Sequence, residues 1–210
     1  MPYRITEAHP KCSGYAVVKK SGGKLMGCHK TKDKAQKQLA ALNANEGGAG
    51  YKRDIPFGPS GRIILQDLNV ALSSNFKDMQ QNRPMSNFVQ NVEEYRPWLV
   101  NLLKHEFVIL CTARSFLYED MTLERIKSET GWQPDDWFFN PWEEGKSALR
   151  AHTAKARYLK EFIFPKYGDD PSLYFAIESN KYSRSMYKAN DIECRDANRD
   201  DSQPWKTLLP

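Results

Sequence analysis

Cysteine is scarce in this 210-residue chain: Cys12, Cys28, Cys111 and Cys194 are few and far apart, which argues against a disulfide scaffold and fits a reducing compartment. Long apolar runs are absent as well. No stretch approaches the roughly 18 residues of a membrane span, and the start of the chain has no signal-peptide hydrophobic region. The expectation is a cytoplasmic protein with no membrane attachment. Paired Cys-x-x-Cys and His-x-x-x-His elements are also missing, which removes the usual zinc-finger spacing. What is present is ordinary for a globular protein: 40% of residues are hydrophobic and 27% charged. That is enough chain for one full domain and a small appendage.

Charge is unevenly spread. The net charge is +5, but residues 1–50 hold nine Lys or Arg against three acids, while the rest of the chain comes to −1. A basic N-terminal piece suits an anionic partner such as nucleic acid or an acidic protein surface. Lysines that merely keep a tiny domain soluble are the plainer alternative.

The same piece reads as a ββα module over residues 1–46. Tyr15–Lys20 and Lys24–His29 flank Ser21-Gly22-Gly23 as a hairpin; Thr31 then caps a helix in which Ala35, Leu39 and Leu42 recur at helical spacing. His9, Cys12, Cys28 and His29 are the residues available to a stabilising zinc ion; buried cysteines beside a surface histidine are the alternative. The segments Gly-Tyr-Ala-Val-Val, Gly-Cys-His-Lys-Thr and Ala-x-x-Gln-Leu-x-Ala-Leu resemble a short module at the start of tailed-phage head proteins. Residues 47–61, rich in Gly and Pro, read as a linker.

Beyond the linker the pattern changes. Arg62–Leu72 is an apolar, β-branched run that delivers Asp67 at its end, with Asn69 on the same face if the strand continues that far. Phe107–Ser115 repeats the theme and ends in Thr112, Arg114 and Ser115. Trp137–Phe139 and Leu173–Ile177 are further strands, the last delivering Glu178, Ser179 and Asn180. Ser73–Pro84 reads as an irregular loop and Asn87–Leu103 as a helix interrupted near Pro97. Thr122–Thr130 is a helix closed by Gly131, Ala148–Phe164 one ended by Pro165, and Tyr182–Ala189 the last. Strand and helix alternate, which predicts an α/β fold with a doubly wound parallel sheet over residues 62–197 and a polar tail at 198–210. Five tryptophans tempt a base-stacking role, but aromatics more often serve the core.

Asp67 with Asn69, Thr112 with Arg114, Lys155, and Glu178 with Asn180 thus gather at the carboxyl edge of one sheet. A carboxylate nucleophile, a hydroxyl, a lysine and a second carboxylate are what phosphoryl transfer through an aspartyl-phosphate requires. In this order the segments Ile-Ile-Leu-Gln-Asp67-Leu-Asn69, Val-Ile-Leu-Cys-Thr112-Ala-Arg114, the Lys155 helix and Phe-Ala-Ile-Glu178-Ser-Asn180 resemble the haloacid dehalogenase-like phosphohydrolase superfamily. Within it they are most similar to the phosphatase domain of phage polynucleotide kinases. The resemblance implies a Rossmannoid domain with a minimal cap, since only 45 residues separate Asp67 from Thr112. It implies Asp67 as nucleophile, Thr112 and Lys155 as holders of the phosphoryl oxygens, and Arg114 and Ser115 as substrate-binding residues. Asp67, Glu178 and the backbone carbonyl of Asn69 would bind Mg²⁺. Lys155 is preferred to Lys160 for its spacing to Pro165.

The chain also departs from that family. Asn69 stands where the phosphatases carry a general acid and base, Ala71 where Thr or Val is frequent, and Ser179 where an acid is common. The expectation is a weakened Mg²⁺-dependent phosphatase, acting on nucleotide or nucleic-acid end phosphates, in the host cytoplasm if phage-encoded. The alternative is a catalytically degenerate phage protein that binds nucleic acid through residues 1–50 or serves in the virion.

Overall fold

The computed structural model describes residues 3–7, 9–19, 24–46, 55, 57–141 and 149–197, and near the end of the first helix the backbone alone. The expected turn at Ser21–Gly23, most of the linker, the start of the helix at Ala148, Trp142, Trp205 and the tail lie outside the described residues. The chain divides into two compact units, one built on residues 1–53 and the other on most of residues 54–210.

In the first unit three antiparallel strands, β1 (Tyr3–Thr6), β2 (Tyr15–Lys19) and β3 (Leu25–His29), lie in that order and precede the helix α1 (Lys32–Glu46). The module is therefore βββα rather than ββα: β1, only four residues long, pairs Tyr3 with Lys19 and Thr6 with Ala16. Alternation sends Tyr3, Ile5 and Val17 to one face, where they meet Ala35, Leu39 and Leu42 of α1. Ala16 and Val18 face the other way, beneath Cys12.

Two of the four cysteines are joined there. Register places Cys28 opposite Ala16, on the face where Cys12 arrives, and Cys12 and Cys28 form a disulfide. This corrects the reading of the cysteines as unpaired; strand register made the pair, and sequence spacing gives no sign of it. It also consumes both sulfur ligands of the zinc set: His9 Nδ1 accepts from Lys11 N, and His29 Nε2 lies 2.6 Å from Gln38 Oε1. Gln38 spans this edge of the sheet, its Nε2 donating to Met26 O, in space that only glycine leaves at position 27; a Cβ there would stand 2.0 Å from Gln38 Oε1.

The second unit carries a five-stranded parallel sheet in the order β6-β5-β4-β7-β8, with β4 Ile63–Gln66, β5 Phe107–Ser115, β6 Asp136–Asn140, β7 Tyr174–Glu178 and β8 Glu193–Asp196. All four residues of β4 are fully buried, as expected of a central parallel strand covered on both faces. Ile63 pairs with Phe107 on one side and Tyr174 on the other. The chain runs from β4 outward to β5 and β6, then returns across β4 to β7 and β8. The order reverses between β4 and β7, and ligands of such Rossmann-like sheets bind outside the strand ends at that reversal. Asp67 follows β4 and Glu178 ends β7.

Several boundaries differ from the expected ones for identifiable reasons. Pro97 opens the helix Pro97–Leu103 instead of interrupting a longer one, because its missing N–H costs nothing in a first turn. The helix from Ala151 passes Pro165 and ends at Gly168: a wider turn over Leu159–Ile163 restarts it, so Pro165 again occupies a first-turn position, and Gly168 at φ 107° stops it. β8 was not anticipated, since Glu-Cys-Arg-Asp has no apolar pattern. Ser60, at the end of the stretch read as linker, is tied to the residue just before β5 by its hydroxyl, which donates to Glu106 Oε2 at 2.6 Å. Between Asp67 and β5 the chain forms short helical turns and the helix Pro97–Leu103. Trp132 is in the core, and Trp98 and Trp137 pack against it. No described helix is long and apolar enough to cross a membrane.

Candidate active site

Sheet pairing carries one residue past β4: Asp67 N donates to Ile177 O of β7 at 2.9 Å. Gln66, fully buried, donates from its Nε2 to Asp67 O at 2.6 Å and fixes the exit from the strand. The strand then stops. Asn69 (φ −68°, ψ 128°) and Val70 (φ 67°, ψ −26°) turn the chain back, so Asn69 does not share a strand face with Asp67 as the alternation implied. A β-branched residue at positive φ costs ~1–3 kcal/mol and persists only where its surroundings hold it. Here Arg96 does so, with Nε donating to Ala71 O at 2.9 Å and Nη2 to Val70 O at 3.3 Å.

At the centre of the site is a buried cation between two carboxylates. Lys155 Nζ donates to Asp67 Oδ1 at 2.6 Å and to Glu178 Oε2 at 2.5 Å. All three side chains are nearly inaccessible, the most open being Asp67 at 7%. Each carboxylate is held at its other oxygen as well: Ser179 Oγ lies 2.7 Å from Asp67 Oδ2, and Asn180 N donates to Glu178 Oε1 at 2.8 Å. Burial, reinforced by Asp67, pushes the Glu178 carboxyl up to about 8 against the opposing pull of Lys155. Burial alone would lower the Lys155 pKa, but the two carboxylates outweigh it and hold the ammonium above its ordinary value. Lys160, the rejected candidate, is exposed.

Arg114 is placed otherwise than expected of a substrate ligand. It is buried and forms a two-pronged ion pair with Glu93, which is also fully buried; Nη1 donates to Glu93 Oε2 at 2.8 Å and to Thr122 Oγ1 at 3.0 Å, and Nη2 donates to Glu93 Oε1 and to Asn69 Oδ1, the latter at 2.9 Å. An arginine only donates, so the Asn69 carbonyl must face it and the Asn69 amide group must turn the other way. Tyr95 adds a hydroxyl donor to Glu93 at 3.1 Å. Glu93, Tyr95 and Arg96 carry no sequence signal of these roles, because they fall within a stretch that reads as an ordinary helix, Asn87–Leu103.

Ser115 caps the turn Phe116–Tyr118, its hydroxyl accepting from Leu117 N at 3.3 Å. Thr112 is fully buried; its Oγ1 accepts from Arg114 N at 3.1 Å, and its carbonyl accepts from Tyr158 OH. The thiol of Cys111, next to Thr112, is pushed up to about 12 by burial, which fits packing and not nucleophilic work.

The oxygens at the site suit a hard cation. Ser179 Oγ lies 2.7 Å from Asp67 Oδ2 and 3.0 Å from the Asn69 carbonyl, so its hydroxyl spans those two oxygens. Among the described residues no three His, Cys, Asp or Glu side chains gather as a metal cluster. Two carboxylates and a carbonyl match Mg²⁺, which keeps several of its waters, better than a metal needing a full protein cage.

The sequence matches no family model and no curated protein. The fold is similar to that of a chain in the structure of the Pnkp1/Rnl/Hen1 RNA repair complex, with a TM-score of 0.51 at 17% identity over 84% of this chain. A second structure, of the Pnkp1/Rnl/Hen1 complex, aligns over 70% of this chain and 48% of its own at a TM-score of 0.48 and 16% identity. The chain spans 58% of the length of the first of these, and at such identity the likeness is one of fold.

Proposed function

We propose that the crevice at Asp67 hydrolyses phosphomonoesters through an aspartyl-phosphate, and that its substrates are phosphate ends of nucleotides or nucleic acid. The observation that carries this reading is Lys155 bridging Asp67 and Glu178 where the strand order reverses. Asp67 attacks phosphorus, the ester oxygen departs, and water then cleaves the acyl-phosphate. Lys155, already charged and buried, follows the negative charge as it moves from the carboxylate to the phosphoryl oxygens. Thr112 offers its hydroxyl proton to one of those oxygens. Mg²⁺, held by Asp67, Glu178 and the Asn69 carbonyl, would supply further charge neutralisation on the phosphoryl group.

Asn69 can neither protonate the departing oxygen nor activate water, a loss that costs ~10²–10⁴ in rate. Substrates with good leaving groups are therefore favoured. A nucleic-acid end as the phosphate carrier is supported by the basic character of residues 1–50 and by the fold shared with a chain of an RNA repair complex. Turnover of a chromogenic aryl phosphate with Mg²⁺ is expected, and its loss in Asp67→Asn. Turnover that survives this substitution overturns the reading.

Asn69 itself favours a second reading, a protein that binds phosphate or nucleic acid without turnover. Capture of Mg²⁺ with beryllium fluoride at Asp67 supports the enzyme. Salt-sensitive DNA or RNA binding that weakens on deleting residues 1–50, with no turnover of any phosphate, supports the binder.

A further inference from the structure

Tyr182 is the most exposed large hydrophobic side chain among the described residues, at 60%. Its position is not incidental to the Asp67 site. It lies four residues beyond Glu178, so its Cα is at most about 14 Å away along the chain, and Tyr182 N is fixed by Asn180 Oδ1 at 2.9 Å. The His152 ring lies 5.8 Å from the Tyr182 ring, tilted by 43°. His152 in turn is three residues before Lys155 on one helix, a spacing that brings side chains to about 5–6 Å between Cβ atoms. The two aromatic rings thus sit where the helix bearing Lys155 meets the segment bearing Glu178. Lys181, also exposed, places its ammonium 5.0 Å from the centre of the Tyr182 ring.

An exposed tyrosine ring beside a half-buried histidine ring, with a lysine ammonium over the tyrosine and the Glu178 carboxylate four residues away in sequence, matches one kind of ligand: a planar base that carries a phosphate. An aliphatic or peptide phosphate would leave the rings uncovered. We infer that Tyr182 and His152 form a platform on which the base of a nucleoside phosphate stacks while its phosphate reaches Asp67, with Lys181 moving from the ring to the phosphate backbone. The inference rests on the phosphatase reading for the direction of the phosphate, and it names the ligand as a nucleoside phosphate at a strand end or free. Stacking is tolerant of sequence, because every base offers a π face. The platform accordingly selects for the presence of a base and not for its identity.

The test is equilibrium binding of the full chain to a fluorescent oligonucleotide with a phosphorylated end, beside the same strand with an abasic terminal nucleotide. Tyr182→Ala is expected to weaken the intact strand by roughly 5- to 150-fold and to remove the preference over the abasic strand. Tyr182→Phe should retain that preference. Phe57→Ala, at an exposed ring just before the amino end of β4, should bind as wild type. Competition by a nucleoside monophosphate that depends equally on Tyr182 assigns the platform to free nucleotides; competition independent of Tyr182, with the strand preference intact, assigns it to strand ends. Wild-type protein that binds intact and abasic strands alike, or a preference unchanged by Tyr182→Ala, overturns the inference. Aryl phosphate turnover in the same preparations separates the two ideas: its absence with base-dependent binding intact removes the phosphatase and leaves the platform, and its presence with base-independent binding does the reverse.

Discussion

Lys155 and Asp67, 88 residues apart in sequence, meet at 2.6 Å in a site from which water is almost excluded. The ammonium is shared with Glu178, so one buried positive charge stands between two acids. Removing one partner of a buried ion pair is costly because the remainder keeps its desolvation penalty.

Lys155→Met should therefore lower stability by about 3–5 kcal/mol, read as a shift of the urea midpoint without a change in slope. Adding Glu178→Gln to it should recover part of the loss. If Lys155→Met unfolds at the wild-type midpoint, the ion pair does not exist in solution.

The pH dependence of stability follows from Glu178. Its carboxyl is raised from 4.5 to about 8 in the folded protein, so between those values the native state holds a proton that the unfolded chain has released. Stability from this group is fully present below the lower value and lost as pH rises toward the upper one. Glu178→Gln should flatten that part of a melting-temperature profile between pH 4.5 and 8. A wild-type profile that rises through this window exactly as the variant's does would show that Glu178 ionises normally.

On the phosphatase reading, Asn69→Asp supplies the carboxylate that a general acid and base would need. It should raise turnover of alkyl phosphates by ~10²–10⁴, with a smaller gain on aryl phosphates, whose leaving groups need no proton. Equal effects on both would mean that departure of the ester oxygen is not what limits the enzyme.

In the first unit, closing a loop between residues 16 apart by the Cys12–Cys28 disulfide contributes roughly 3 kcal/mol. Cys12→Ser should lower the melting temperature, and a reductant should do the same to the wild type while leaving the variant untouched. Insensitivity of the wild type to reductant would show the thiols to be free.

How far the sequence reveals this arrangement depends on the range of the forces involved. Asp67, Thr112 and Glu178 stand at the ends of apolar runs, and burial of a parallel strand on both faces writes such runs directly into the chain. Lys155 is legible because its spacing to Pro165 separates it from Lys160, the other lysine of the helix. Arg114 is legible but its task is not: its partner Glu93 is brought to it by the fold of the chain between β4 and β5, which local pattern does not specify. Val70 gives no hint of positive φ, since nothing about valine favours it; the turn is held by Arg96 from a distance. Cys12 and Cys28 are likewise paired by register. β8 is polar throughout, and only its neighbour β7 makes it a strand.

The place of β4 has a kinetic meaning for Asp67. A strand hydrogen-bonded along both edges and sealed above and below belongs to the last part of a protein to open in hydrogen exchange. The carboxylate is mounted on that slowest-exchanging segment, whereas Asn69 and the rings near Lys181 are carried by turns and helix ends. On the phosphatase reading, whatever yields to admit a ligand belongs to the latter group, while the Asp67 carboxylate keeps its place.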